Sequence, residues 1–240
     1  MRIVNTLEAG AFLERTPGSS KYRVGLAACE VGALHLSTNP LASAADPTLR
    51  ELAERTGHTA YLGVLRGGDL VVLATYEGGL PVRFVWRAGD RVPATTTASG
   101  KAMLMHMDRS RIDQVVGGGE LVPLTDHSLR QRADLERQLI DARPRGWIEA
   151  IEESYPGVCA VGAAVLDRDG GPVAGLSLSF LNSAGDQVLF QQLGALVADA
   201  GARISKRLAI YQAYGPAQVL SMRSKDSGID PPFETRIGAR

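Results

Sequence analysis

Apolar residues along this chain change period several times, and the changes divide it into elements. At the front, Ile3, Val4 and Leu7 fall at helical spacing, and Gly10 follows as a helix-ending glycine. Phe12-Leu13-Glu14-Arg15 and Lys21-Tyr22-Arg23-Val24 flank the turn-forming run Thr16-Pro17-Gly18-Ser19-Ser20, which predicts a hairpin. Residues 25–39, with Leu26, Cys29, Val31, Leu34 and Leu36, read as a linking helix and a candidate dimer contact. Asp46-Pro47 predicts a helix start, with Leu49, Leu52 and Ala53 as its buried stripe and Gly57 as its end. Strand patterns follow at Tyr61–Leu65 and Leu70–Thr75, joined by Arg66-Gly67-Gly68-Asp69, and again at Val82–Trp86. Gly89–Thr97 reads as loop. Helical spacing returns at Ala98–Met107, Arg109–Val116 and 128–143, the last stopped by Arg143-Pro144-Arg145-Gly146. Three strands are predicted at Trp147–Glu152, Val158–Leu166 and Pro172–Phe180, the middle one apolar on both faces and therefore internal. A long amphipathic helix at 188–211 closes the pattern, and a loose tail is expected after about Gly215.

From residue 40 the order is helix, three strands, helices, three strands, helix. That order predicts an α+β domain with a mostly antiparallel sheet flanked by helices. The front helix and hairpin, 24 residues, are too few to enclose a core of their own. Composition agrees with a globular chain: 45% of the 240 residues are hydrophobic and 22% charged. Twenty-six basic side chains balance 26 acidic ones, which excludes a surface basic throughout but leaves room for a local patch. Two cysteines, Cys29 and Cys159, form neither a disulfide framework nor a CxxC pair. With no leader-like or membrane-spanning stretch, these features predict a cytoplasmic protein without a membrane partner.

Candidate chemistry sits in three places. In the last strand Leu176, Leu178 and Phe180 alternate with Gly175, Ser177 and Ser179. This face lines a polar cavity, meets solvent, or consists of small residues under a close helix. Thr95-Thr96-Thr97-Ala98-Ser99-Gly100-Lys101 lies where a loop becomes a helix, so its amides and hydroxyls serve either an acidic ligand or ordinary capping. Glu152 and Glu153 precede a turn and read as solvated acids rather than an acid–base pair. Cys159 has no histidine nearby in sequence and reads as a small core residue, which leaves an enzyme built on Cys159 with Glu152 or Glu153 as a minor alternative. His35, His58, His106 and His127 have no metal-ligand spacing, so no catalytic residue, metal or cofactor is expected.

Several stretches taken together carry a family likeness. Ile3 through Arg15 and Lys21-Tyr22-Arg23-Val24-Gly25 form the first two, and Pro47 with Leu49 through Thr59 forms the third. Gly89 and Pro93 through Thr97-Ala98-Ser99-Gly100-Lys101-Ala102-Met103-Leu104 form a middle signature. Glu153, Gly157-Val158-Cys159-Ala160-Val161 and Ala164-Val165 form a late one. In order and spacing these resemble the IclR-type bacterial transcriptional regulators over about residues 2–212. The resemblance implies a partial winged helix-turn-helix at 1–24, a linker helix at 25–40, a GAF-like effector-binding domain at 41–212 and a flexible tail at 213–240. By the same likeness the recognition helix is preceded by further helices, roughly fifty residues, so the winged helix is expected to be incomplete here. Operator DNA is the implied partner, with contacts expected from Arg2, Asn5, Arg15, Lys21 and Arg23. A small organic acid or aromatic metabolite is the implied effector. Its expected contacts are Thr97, Ala98, Ser99, Ala150, Cys159, Ala160, Ser177 and Ser179, with an apolar wall from the Leu176 side or from Phe84–Trp86. A homodimer or tetramer, acting as repressor or activator, is implied as well. The alternative is a truncated module for ligand binding and dimerisation without effective DNA binding.

Overall fold

The computed structural model describes residues 2–81, 83–181 and 186–227, with side chains in the last helix as far as Ala213. The chain divides into two compact units, residues 1–43 and 44–240. In the front unit α1 (Arg2–Ala9) leads into an antiparallel hairpin of β1 (Leu13–Arg15) and β2 (Tyr22–Val24), followed by α2 (Leu26–Thr38). Gly10 is not the left-handed residue that ends α1. Ala11 takes that role at φ 56°, and the Phe12 amide donates back to the Leu7 carbonyl at 2.8 Å. The Ala11 carbonyl in turn accepts from the Ala27 amide, so the strained alanine is fixed by the start of α2. No residue of α2 is buried, and Leu26, Val31 and Leu34 are each more than half exposed.

The unit boundary falls within α3 (Pro40–Thr56). This helix starts seven residues earlier than the Asp46-Pro47 pattern predicts. Pro40 occupies its first position and the Asn39 side chain accepts from the Leu41 amide at 2.9 Å, so Pro47 lies inside the helix. Asp46 is released from capping and accepts from Arg50 and the Tyr76 hydroxyl.

In the second unit β3 (Thr59–Arg66) and β4 (Asp69–Tyr76) form the expected hairpin. The third strand is not 82–86. Val82 lies outside the described residues, and residues 83–86 are neither helix nor strand. The strand instead is β5 (Arg91–Pro93), within the stretch read as loop. Next come α4 (Ala98–Met105), α5 (Arg109–Val116) and α6 (Arg132–Ala142). The expected start of α6 near residue 128 fails because Ser128 is buried in a turn, its hydroxyl donating to the Glu153 carbonyl and accepting from the Leu124 and Thr125 amides. The chain continues through β6 (Ile148–Ile151), β7 (Val158–Leu166), β8 (Pro172–Leu181) and α7 (Gln187–Ser227). The backbone of α7 stays helical beyond the point where its apolar spacing lapses, while 228–240 of the expected tail lie outside the described residues.

The sheet order is β5-β4-β3-β8-β7-β6, antiparallel throughout. Helices cover both faces. Against one face lie Leu193, Val197, Ile204 and Leu208 of α7, all buried, with Gly201 set against Leu176. A Cβ on Gly194 would fall 2.2 Å from the Trp147 ring, so only glycine lets α7 come this close. Against the other face lies the first turn of α4, and this contact builds the site described next.

Candidate functional site

Register across the sheet determines which side chains share the α4 face. Ala150, Ala160, Ser179 and Thr59 stand directly opposite one another on β6, β7, β8 and β3. Gly162, Ser177 and Tyr61 form the next row, then Ala164, Gly175 and Gly63. A one-residue shift in β4, with Leu73 left over between the pairs Leu62↔Ala74 and Gly63↔Val72, turns Leu70 and Val72 onto this same face. The start of α4 presses onto the small residues: a Cβ on Gly162 would lie 2.5 Å from the Ala98 carbonyl carbon, and one on Gly175 would lie 2.2 Å from the Ser99 oxygen. Thr97 caps this helix, its hydroxyl accepting from the Gly100 amide at 3.1 Å.

Beside that contact the sheet and helix enclose a small cavity of about 30 Å³. Its polar wall is Thr97, Ala98 and Ser99 of the α4 start, Ser177 and Ser179 of β8, Ser154 and Tyr61. Its apolar wall is Leu70, Val72, Val92, Ala150, Val158 and Ala160, with Phe84 and Trp86 from the irregular stretch after β4. Among the described residues no charged side chain lines it. The apolar wall therefore comes from the Phe84–Trp86 side; Leu176 faces α7 on the other side of the sheet.

Seven of the eight expected effector residues meet here: Thr97, Ala98, Ser99, Ala150, Ala160, Ser177 and Ser179. Cys159 does not. Alternation along β7 turns Val158 and Ala160 to the cavity and Cys159 to the opposite face, where burial pushes its thiol up to about 11. Ser99 and Ser177 are 2% and 6% exposed as residues, and both line the cavity. Of the polar lining, the expected set lacked Ser154 and Tyr61. The Tyr61 hydroxyl donates to the Phe84 carbonyl at 2.6 Å, accepts from the Trp86 amide at 3.3 Å, and lies 3.4 Å from the Ser179 hydroxyl. The available signal for Tyr61 was a single phenol in an otherwise apolar strand, since a buried tyrosine hydroxyl needs partners.

Glu153 is not a solvated acid. Its Oε1 accepts from Lys101 Nζ at 2.6 Å, with Lys101 wholly buried and Glu153 4% exposed. Gln138 Oε1 takes a second Lys101 hydrogen bond at 2.8 Å. Burial lowers the Lys101 pKa and raises that of Glu153, and each partner opposes the other's shift. Glu153 Oε2 is buried without a partner among the described residues. The pair fastens the first turn of α4 to the β6–β7 turn and so holds two sides of the cavity wall together.

In the front unit, Arg2 and Asn5 are exposed on α1, and Arg15, Lys21 and Arg23 on the hairpin. Arg23 pairs with Glu14 at 2.8 Å, and Arg15 donates to the Tyr22 hydroxyl. No group of three or more potential metal ligands occurs among the described residues. No helix among them is long and apolar enough to cross a membrane.

The family profile for the C-terminal region of the bacterial transcriptional regulator IclR matches residues 33–206. This chain belongs to the IclR family. The HTH-type transcriptional regulator XynR of Escherichia coli K12 is 29% identical to the present regulator over 206 residues, covering 86% of this chain and 82% of the relative. KdgR of the same organism is 29% identical over 210 residues, covering 88% and 80%. The crystal structure of the Thermotoga maritima IclR superposes with a TM-score of 0.74 at 27% identity, covering 87% of this chain and 84% of that one. The α+β architecture expected from the strand and helix order is the fold of this family, and the chain is a regulator of transcription.

Proposed function

We propose that this regulator binds operator DNA through its front unit and that a small carboxylate or aromatic metabolite in the cavity controls that binding. The observation that carries the effector reading is the convergence of Ser99 and Ser177, both buried residues, from helix and strand on one cavity. A hydroxyl that lines a cavity can donate a hydrogen bond to a ligand oxygen. The free amides at the α4 start favour a carboxylate there, while the apolar wall accepts a hydrocarbon or aromatic body. Arg2, Asn5, Arg15, Lys21 and Arg23 are the proposed DNA contacts. The exposed apolar residues of α2 support a homodimer, from which a tetramer would be built. The protein acts in the bacterial cytoplasm and catalyses no reaction: Cys159 is buried with a raised pKa, and it faces away from the hydroxyls. The DNA-binding reading is preferred to a free-standing ligand module because the relatives covered over 82% and 80% of their lengths are HTH-type regulators.

Two measurements on the full chain test the proposal. Gel retardation of the DNA upstream of its own gene is expected, altered by an acid from a panel of small carboxylates. In thermal-shift measurements an effector at ~100 times its Kd adds about 2.7 kcal/mol, and Ser177→Ala or Thr97→Val removes most of that gain. Failure of retardation overturns the DNA half. An unchanged thermal gain in both variants overturns the placement of the effector.

A further inference from the structure

The cavity is smaller than any ligand the proposed function requires. An apolar cavity of roughly 150 Å³ is needed to take benzene, and this one measures about 30 Å³. Occupancy therefore requires part of the wall to move. Most of the wall is fixed: the strands are paired, and the start of α4 is locked on Gly162 and Gly175. The segment 83–87 differs. It forms neither helix nor strand, Val85 is 37% exposed, and its Phe84 and Trp86 rings meet edge to face, 4.9 Å between centroids. Its backbone is fastened to the sheet by two hydroxyls, Tyr61 on the Phe84 carbonyl and Trp86 amide, and Thr75 on the Trp86 carbonyl at 2.7 Å.

Given the reading of the cavity as an effector site, we infer that Tyr61 is both an effector contact and the latch of this aromatic strap. The effector enters by displacing residues 83–87 and takes over the Tyr61 hydroxyl, next to Ser179, that had been bonded to the strap backbone. The exchange has little enthalpic penalty because one acceptor replaces another on the same donor. The space vacated by Phe84 and Trp86 is apolar, and no cationic side chain among the described residues lines the cavity. The ligand class is thus a compact monocarboxylate with an aromatic or branched apolar body. Dianions and phosphates are excluded, since burying a second charge without a counter-charge is too costly. Binding would order the strap differently in the two states, which is the differential contact an allosteric ligand needs.

The test uses the full chain, with benzoate and phenylacetate as probes and malonate and inorganic phosphate as controls. Thermal shift reports occupancy, and acrylamide quenching of tryptophan emission reports the strap. Benzoate or phenylacetate is expected to raise the melting temperature and to increase quenching about twofold. The quenching change should be absent in Trp86→Phe while the thermal shift persists. Tyr61→Phe should already show the increased quenching without ligand, and a probe should add nothing to it; Thr75→Val, a milder release, should show an intermediate level. If a probe raises the melting temperature with wild-type quenching unchanged, the strap does not move and the inference fails while the effector reading stands. If only malonate or phosphate binds, the ligand class is wrong. If nothing binds, the effector reading fails with it.

Discussion

Lys101→Met is expected to destabilise the protein by about 3–5 kcal/mol, a fall of roughly 10 °C in melting temperature for a chain of this size. The substitution leaves Glu153 buried with no cation, and its Oε2 already lacks a partner. The sign of the pH dependence follows from the direction of its shift. Burial raises the Glu153 pKa, and in the native protein Lys101 opposes that rise. Without Lys101 only the raising influence of burial remains large. The folded variant then binds a proton that the unfolded chain, titrating near the ordinary 4.5, releases. Stability of Lys101→Met should therefore fall as pH rises from 5 to 8, so its deficit against the native protein is smallest at the acid end. Lys101→Met combined with Glu153→Leu should recover most of the loss, because no unpaired charge is left behind. Urea denaturation of the three proteins at pH 5, 6.5 and 8 checks this. A Lys101→Met deficit that stays constant with pH would show that the loss comes from packing alone.

The second large effect is steric. Gly175→Val places a side chain where Ser99 O already sits 2.2 Å from an ideal Cβ position, against backbone rather than a flexible side-chain end. Overpacking of this kind costs about 1–3 kcal/mol, and the upper end is expected because α4 cannot shift without disturbing Thr97 and the Lys101–Glu153 pair. Effector response should disappear even under conditions where the variant is fully folded, since the start of α4 would be pushed away from the sheet residues with which Ser99 lines the cavity. Gly118→Val is the control: nothing lies within 4 Å of a Cβ there, and less than about 0.5 kcal/mol is expected. Denaturation midpoints together with a ligand thermal shift separate the two outcomes.

Much of this arrangement is legible in the residues. The β3–β4 hairpin follows from two apolar runs across Gly67-Gly68, and the α4 start from Thr97 ahead of a helical run. The Ser177/Ser179 face follows from simple alternation. The misses have specific physical causes. Val82–Trp86 has strand-forming side chains, but the backbone of Phe84 and Trp86 is taken by the hydroxyls of Tyr61 and Thr75, and so is unavailable for strand pairing. Glu153 looks solvated until its partner is known, and that partner lies 52 residues away. Cys159 and Ala160 differ by one position, and only the β6–β7 register decides which faces the cavity. In β4, Leu70, Val71, Val72 and Leu73 are all apolar, so hydrophobicity does not specify which pair faces inward, and the one-residue shift is invisible to pattern. Pro47 resembles a helix start because proline is favoured there, yet Asn39 and Pro40 supply an earlier one.

The charge-free lining of the cavity makes ionic strength a means of separating the regulator's two binding equilibria. Contacts to DNA phosphates release condensed counterions and weaken steeply as salt is added. An enclosed pocket bounded by hydroxyls, amides and hydrocarbon has no ion atmosphere to release, and it is shielded from the one outside. In concentrated salt the protein should leave its operator while keeping its metabolite. Effector affinities measured in such buffers then belong to the DNA-free protein alone, and the operator-bound form differs from it by the same factor by which the effector changes operator affinity.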